Sequence, residues 1–161
     1  MSTTTDDLWF FDALARIRVS RGDGDERLSV IEMTIPAGGM PPLHVHDEDE
    51  GFYVLDGEVR FWAGEETFLL GPGGSLLAPR DVPHTYRVEQ DARMLAVTEG
   101  DFERFVRAVS RPAEELVPPV FEPTEELFAE AVRAGAEHGI EILGPPGMLP
   151  GELPATAGAR A

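Results

Sequence analysis

Three of the four histidines and one glutamate are spaced like a metal-ligand set. His44 and His46 are two residues apart on an extended segment, so both imidazoles leave the chain on the same face. Glu50 follows four residues later, just before the run Phe52-Tyr53-Val54-Leu55. His84 lies far along the chain, directly after Pro83 and at the head of the expected strand 85–88. If these segments line one barrel, three imidazoles and one carboxylate can converge inside it. Imidazole suits Fe, Ni, Cu, Zn or Co, and one carboxylate offsets half the charge of a divalent ion. Coordination positions left free by the protein are open to water or substrate, as metal-assisted catalysis requires. Glu48 has the same parity as Glu50, and Asp81 is near His84, so both stay open as alternatives. His138 falls at the expected C-terminus of a helix, where the dipole stabilises a cation, and takes no ligand role.

The elements that must position these groups are strands. Residues 9 to about 99 read as short β runs separated by Gly/Pro turns at spacings of roughly ten residues, the pattern of an all-β sandwich or barrel. Ala15, Ile17 and Val19 alternate with Arg16 and Arg18. Ile31, Met33 and Ile35 share one face, with Glu32 and Thr34 on the other. Asp56-Gly57 separates residues 52–55 from 59–62 and predicts a tight hairpin, because both turn positions tolerate positive φ. Residues 67–70, 75–78, 85–88 and 94–98 continue the series. After Gly100 the period changes. Phe102, Phe105, Val106 and Val109 recur at helical spacing. Thr124 is a plausible N-cap for a second helix with the stripe Leu127, Phe128, Ala131 and Val132, stopped by Gly139. The expected organisation is a barrel domain over residues 1–110, a helical extension packed on it over 111–143, and a Pro/Gly-rich flexible tail over 144–161.

Composition narrows the function. The 161 residues carry 30 acidic and 13 basic side chains, a net charge of -17. Such a surface repels phosphate backbones and anionic lipid, so neither nucleic acid nor a membrane is an expected partner. Every basic residue is arginine, which removes lysine Schiff-base chemistry. Cysteine is absent, so thiolate nucleophiles and cysteine-ligated metals are excluded. Neither a targeting segment nor an apolar run of spanning length stands out, and a cytoplasmic location is expected. The acidic field favours a neutral or phenolic small molecule over dicarboxylates or phosphates, unless Arg60, Arg80 and Arg87 reverse it locally.

The spacing resembles that of the cupin family. Gly38, five residues, His44, one residue, His46, three residues, Glu50, six residues and Gly57 match its first motif without a gap. Gly73, five residues, Pro79 and then His84 resemble the second, with Asp81 where the family usually has glycine and Val88 where it often has asparagine. The resemblance implies a double-stranded β-helix, or jelly-roll barrel, in which His44, His46, Glu50 and His84 hold one divalent transition metal (Fe, Ni, Cu, Mn, Co or Zn). The stretch 50–57 running into Phe61-Trp62 is similar to that of single-domain quercetinase-like cupins. It implies a dioxygenase acting on an aromatic or polyketide-like hydroxy-ketone, with Glu50 also serving as base. Redox-neutral isomerase, cyclase or lyase chemistry and non-catalytic binding are the alternatives. By strand parity the pocket walls are Phe52, Val54 and Tyr86, with Met33 or Ile35 opposite. Tyr53, Leu55 and Trp62 fall on the outer face and suggest a homodimer.

Overall fold

The computed structural model describes residues 6–25, 27–99 and 101–154. Period-two alternation organises its strands, with one face of each buried. β1 (Asp6–Phe10) and β2 (Ala13–Val19) form a hairpin whose register closes at Phe10↔Ala13, leaving Phe11-Asp12 as a two-residue turn. Phe11 sits at φ 53°, a conformation that costs a bulky L-residue about 1–2 kcal/mol. In β3 (Ser29–Ile35) the residues Ile31, Met33 and Ile35 are buried, as their spacing implies. Glu32 points to the other side and accepts a hydrogen bond from Arg18 Nε at 2.9 Å.

Two long strands carry the barrel. β5 (Glu50–Ala63) and β8 (His84–Thr98) pair antiparallel from Glu50↔Thr98 to Ala63↔His84. The hairpin expected at Asp56-Gly57 is therefore not formed, and β5 runs through it without turning. Register shifts between residues 54 and 59 mark bulges there instead. Gly57 does take positive φ, 80°, but uses it to bend a continuous strand. A Cβ at this position would run into Asp91 O and lie 2.7 Å from Ala92 Cα. The expected strands 85–88 and 94–98 are likewise one continuous strand, with Glu89-Gln90-Asp91 part of β8 opposite the β5 bulges.

The remaining strands flank this pair. β4 (Leu43–His46) joins the head of β8, β3 joins its tail, and β6 (Glu66–Leu70) and β7 (Ser75–Ala78) join β5. The main path of the sheet carries β4, β8, β3, β2 and β1 in that order, and its pairings are antiparallel. The core of this all-β barrel includes Ile31, Met33, Val54, Val59, Val88 and Met94.

The C-terminal elements hold more than helices. α1 (Phe102–Val109) and α2 (Glu125–Glu137) form where the apolar spacing places them, and Thr124 Oγ1 caps α2 by accepting Leu127 N–H at 3.2 Å. β9 (Arg111–Pro112) pairs with β1. β10 (Ile140–Gly144) was not anticipated: it pairs with β4, setting Ile140 against His46 and Ile142 against His44. Beyond Gly144 a 3-10 turn covers Pro150–Glu152, and the rest of the expected tail, from residue 155, lies outside the described residues. No helix among the described residues is long and apolar enough to cross a membrane. On the outer face Tyr53 is 42% exposed, whereas Leu55 and Trp62 are half-buried. The Arg87 guanidinium lies over the Trp62 ring.

Candidate metal centre

His44 and His46 belong to β4, Glu50 opens β5 and His84 opens β8. The alternation along β4 turns both of its imidazoles the same way, and the cross-strand pair His44↔His84 brings in the third. The donor atoms of all four residues lie within 4.8 Å of one another. Glu50, His46 and His84 are buried. Neither Glu48 nor Asp81 joins them. Glu48 Oε1 accepts the Asp101 N–H at 3.0 Å, and Asp81 is exposed in a left-handed turn at φ 62°. His138 ends α2, outside the group.

Backbone carbonyls set the histidine tautomers. Nδ1 of His44 bonds Pro42 O at 2.8 Å, that of His46 bonds Glu48 O at 2.7 Å, and that of His84 bonds Val82 O at 2.8 Å. A carbonyl only accepts, so each Nδ1 carries the proton and each neutral ring keeps an Nε2 lone pair. His46 Nε2 lies 3.2 Å from Glu50 Oε2. His84 Nε2 is 3.5 Å from the same oxygen and, although buried, has no hydrogen-bond partner. A buried nitrogen with a free lone pair beside an ionised carboxylate is costly unless something else binds it.

The electrostatics agree. Burial alone would raise the Glu50 pKa, but the His46 hydrogen bond and the adjacent His84 hold it down to about 2. Burial, with the neighbouring His84, lowers His44 to about 3, so it stays neutral. Burial also acts to lower His46, but once the ring is protonated its Nε2–H donates to Glu50, which outweighs this, and the net shift is upward. Metal–ligand bonds of about 2.0–2.2 Å place donors up to roughly 4.3 Å apart. The four donors therefore fit a divalent ion with small inward movements. This donor set of three imidazoles and one carboxylate suits a first-row transition metal.

The centre opens into a cavity of about 150 Å³ lined by His44 and Glu50 together with many apolar side chains. Of the wall residues inferred from parity, Phe52, Tyr86 and Met33 line it. Val54 and Ile35 do not; both are fully buried in the hydrophobic core. Tyr86 is nearly enclosed, and burial holds its phenol well above the usual range, so it is neutral. Sequence reasoning missed Asp12 and the rings of Phe10, Phe11, Phe105 and Phe121, which also line it. The clustering of Phe10-Phe11 before a strand was the available signal. The three arginines considered as anchors stay outside: Arg60 and Arg87 bond Glu89, and Arg80 bonds Asp49.

Fold and donor set define a small β-barrel with a buried centre of three histidines and one glutamate. A family model described as Cupin domain matches residues 31–98. Quercetin 2,3-dioxygenase of Bacillus subtilis is 31% identical over 106 residues, covering 64% of this chain and 32% of that protein. Dimethylsulfoniopropionate lyase DddQ of Ruegeria pomeroyi is 31% identical over 80 residues, covering 48% of this chain and 40% of that protein. The match thus spans well under half the length of either relative. The crystal structure of an RmlC-like cupin from Shewanella frigidimarina superposes with a TM-score of 0.54 at 17% identity, covering 65% of this chain and 89% of that one. The chain is thus similar to cupins over residues 31–98, and its fold agrees with theirs.

Proposed function

We propose that this protein is a cupin and a metal-dependent dioxygenase acting on an aromatic or polyketide-like hydroxy-ketone. His44, His46, Glu50 and His84 are the metal ligands of this reading. The observation that carries it is the opening of the histidine–glutamate group onto an apolar, ring-lined cavity. A bound divalent ion would supply Lewis acidity and, where redox-active, coupling to dioxygen. The chain's own groups do the rest. The Glu50 carboxylate accepts the hydroxyl proton of the substrate. The rings of Phe52 and Tyr86 stack on a planar ligand, and the apolar walls exclude water from the reacting face. Similarity to quercetin 2,3-dioxygenase supports this class of reaction.

Similarity to a lyase supports a second, redox-neutral reading. In it a bound ion would supply Lewis acidity to a carbonyl, while Glu50 and the neutral Tyr86 phenol exchange protons with the substrate. Oxygen uptake separates the two. Protein loaded in turn with Fe, Ni, Cu, Co or Mn should consume dioxygen only when a hydroxy-ketone is added, and labelled oxygen should appear in the organic product. Turnover that persists under nitrogen with zinc would favour the second reading, and no uptake with any of these ions would reject the first.

We also infer a homodimer. Tyr53 and Leu77 are diagonal neighbours on the outer face of β5 and β7, 42% and 56% exposed, with Leu95 of β8 beside Tyr53. Sedimentation at micromolar concentration should give twice the chain mass, and a monomer would refute it.

A further inference from the structure

We propose that Asp12 is a specificity-determining residue: it selects a single-ring hydroxy-ketone that carries a hydrogen-bond donor at the end remote from the metal centre, and it rejects one that carries a carboxylate there. This rests on reading His44, His46, Glu50 and His84 as a chelating centre.

Asp12 reaches the cavity from the β1–β2 turn, whereas the four donors come from β4, β5 and β8. In the sheet, β3 separates β2 from β8, which puts the strands roughly 10 Å apart at the usual inter-strand spacing. The carboxylate thus enters the cavity from a different part of the sheet than the metal ligands. It forms no ion pair among the described residues, and no arginine lines the cavity. Burial raises its pKa, which marks a poorly solvated carboxylate. Asp12, Glu50 and Tyr86 all line this cavity, so the two acids address one enclosed space.

The turn is held in place at a cost. Phe11 occupies a left-handed conformation where glycine is the usual residue at this turn position, and its ring lines the cavity beside Asp12. Such an outlier persists where surrounding contacts enforce it. Here Phe11 packs on Phe10 and Phe121, with ring centroids 4.7 and 5.9 Å away.

Size limits the ligand. A cavity of about 150 Å³ matches one that holds a benzene-sized molecule. The metal end takes the chelating oxygens, the ring fills the apolar middle, and the far substituent meets Asp12. A hydroxyl there donates to an under-solvated carboxylate, worth about tenfold or more in affinity. A carboxylate there meets like charge with no cation to offset it.

Three pyranones with the same chelating end test this: allomaltol, kojic acid and comenic acid carry methyl, hydroxymethyl and carboxylate at one position. Binding to zinc-loaded protein is measured by calorimetry, with redox-inert zinc preventing turnover by oxygen. Kojic acid should bind about tenfold more tightly than allomaltol, and comenic acid at least tenfold more weakly. In Asp12→Ala the kojic acid to allomaltol ratio should fall to about one. In Asp12→Asn, which keeps the shape, the comenic acid penalty should shrink at least tenfold. Each ratio is read within one protein, so a general loosening cancels, and the wild-type series stands even if a variant does not fold. Equal affinities of the three in wild type, or ratios unchanged in both variants, would overturn the role of Asp12 while leaving the chelating centre intact. If zinc strengthens the binding of none of them, the chelation reading fails and the proposal falls with it.

Discussion

His44 on β4 stands directly opposite His84 at the first position of β8, with ring centroids 4.4 Å apart. Each ring is oriented through Nδ1 by a carbonyl two residues before it in its own chain segment, Pro42 for one and Val82 for the other. The pair is therefore fixed by backbone before any ion arrives. β10 braces the outer edge of β4, so the C-terminal extension helps hold both β4 histidines. A preorganised donor set loses little entropy on binding, and its affinity shows directly as added fold stability.

Divalent ions should accordingly stabilise chelator-treated protein. Free zinc or nickel at a hundred times its Kd contributes about 2.7 kcal/mol, or a rise in Tm of roughly 5–10 °C for a domain of this size. His84→Ala removes one donor and should reduce both affinity and shift, the affinity by tenfold or more. Scanning calorimetry with and without chelator measures it. An identical shift in the variant would show that the ion binds elsewhere.

The metal-free protein should lose stability as pH falls. His44 presents some surface to the cavity, but protein surrounds its ring and holds its folded pKa at about 3. Because that lies below the unfolded value of about 6.5, acid favours the unfolded chain, which takes up a proton the fold refuses. The contribution is complete above the unfolded pKa and declines as pH drops toward the folded one, by up to about 1.4 kcal/mol per unit. Glu50, held at about 2, adds a loss of the same sign below the usual carboxylate range. His46 works oppositely: its raised pKa contributes most below the ordinary imidazole value and is lost as pH rises through the folded one. Urea midpoints at several pH values should fall on acidification, and His44→Leu should flatten the slope just below neutrality. A slope unchanged in the variant would contradict the buried neutral His44.

The convergence of the histidine–glutamate group was legible because its residues are tied to local geometry: alternation puts His44 and His46 together, and the spacing to Glu50 and Gly57 belongs to a single chain segment. Even the departure at Asp81 is intelligible. It takes the left-handed φ of 62° that glycine would supply, and its N–H still donates to His46 O at 2.8 Å. Aspartate is among the residues that tolerate this region. The Asp56-Gly57 hairpin failed because a bulge and a turn use the same dipeptide, and only the pairing with β8 decides between them. β10 was hidden because Ile140-Glu141-Ile142 is too short to signal a strand without β4 beside it. Asp12 was missed because its environment comes from segments far from it in sequence.

The glycines of the motif should differ in tolerance. Gly38 and Gly57 both have positive φ, 88° and 80°. A Cβ on Gly38 meets nothing within 4 Å, while one on Gly57 collides with the β8 backbone at Asp91 and Ala92. Gly38→Ala should therefore cost only the conformational penalty, about 1–2 kcal/mol. Gly57→Ala must also push β8 away from β5 and should cost more than about 4 kcal/mol. Chemical denaturation of both variants tests the contrast, and similar losses would show that β8 yields easily at the bulge.

Glu103 ties α1 to the turn that follows β2. Its side chain is 2% exposed, and its oxygens accept from Ser20 Oγ at 2.8 Å, Arg21 N–H at 2.8 Å and Arg107 Nε at 3.0 Å. Phe102 and Phe105 on the same helix line the cavity, so this carboxylate also positions part of its wall. Glu103→Ala removes the acceptor of Ser20 Oγ, Arg21 N–H and Arg107 Nε, while Arg107 Nη1 keeps Asp6, a loss of about 3 kcal/mol, or roughly 10 °C in Tm. Glu103→Gln keeps the shape and one accepting oxygen but sets an amide N–H₂ against a donor, and should lose about half as much. Small-ligand affinity should fall in both variants, with zinc affinity nearly constant, because the metal donors sit on other strands. If Glu103→Ala melts within about 2 °C of wild type, the helix is held by its apolar face alone and the buried carboxylate is dispensable.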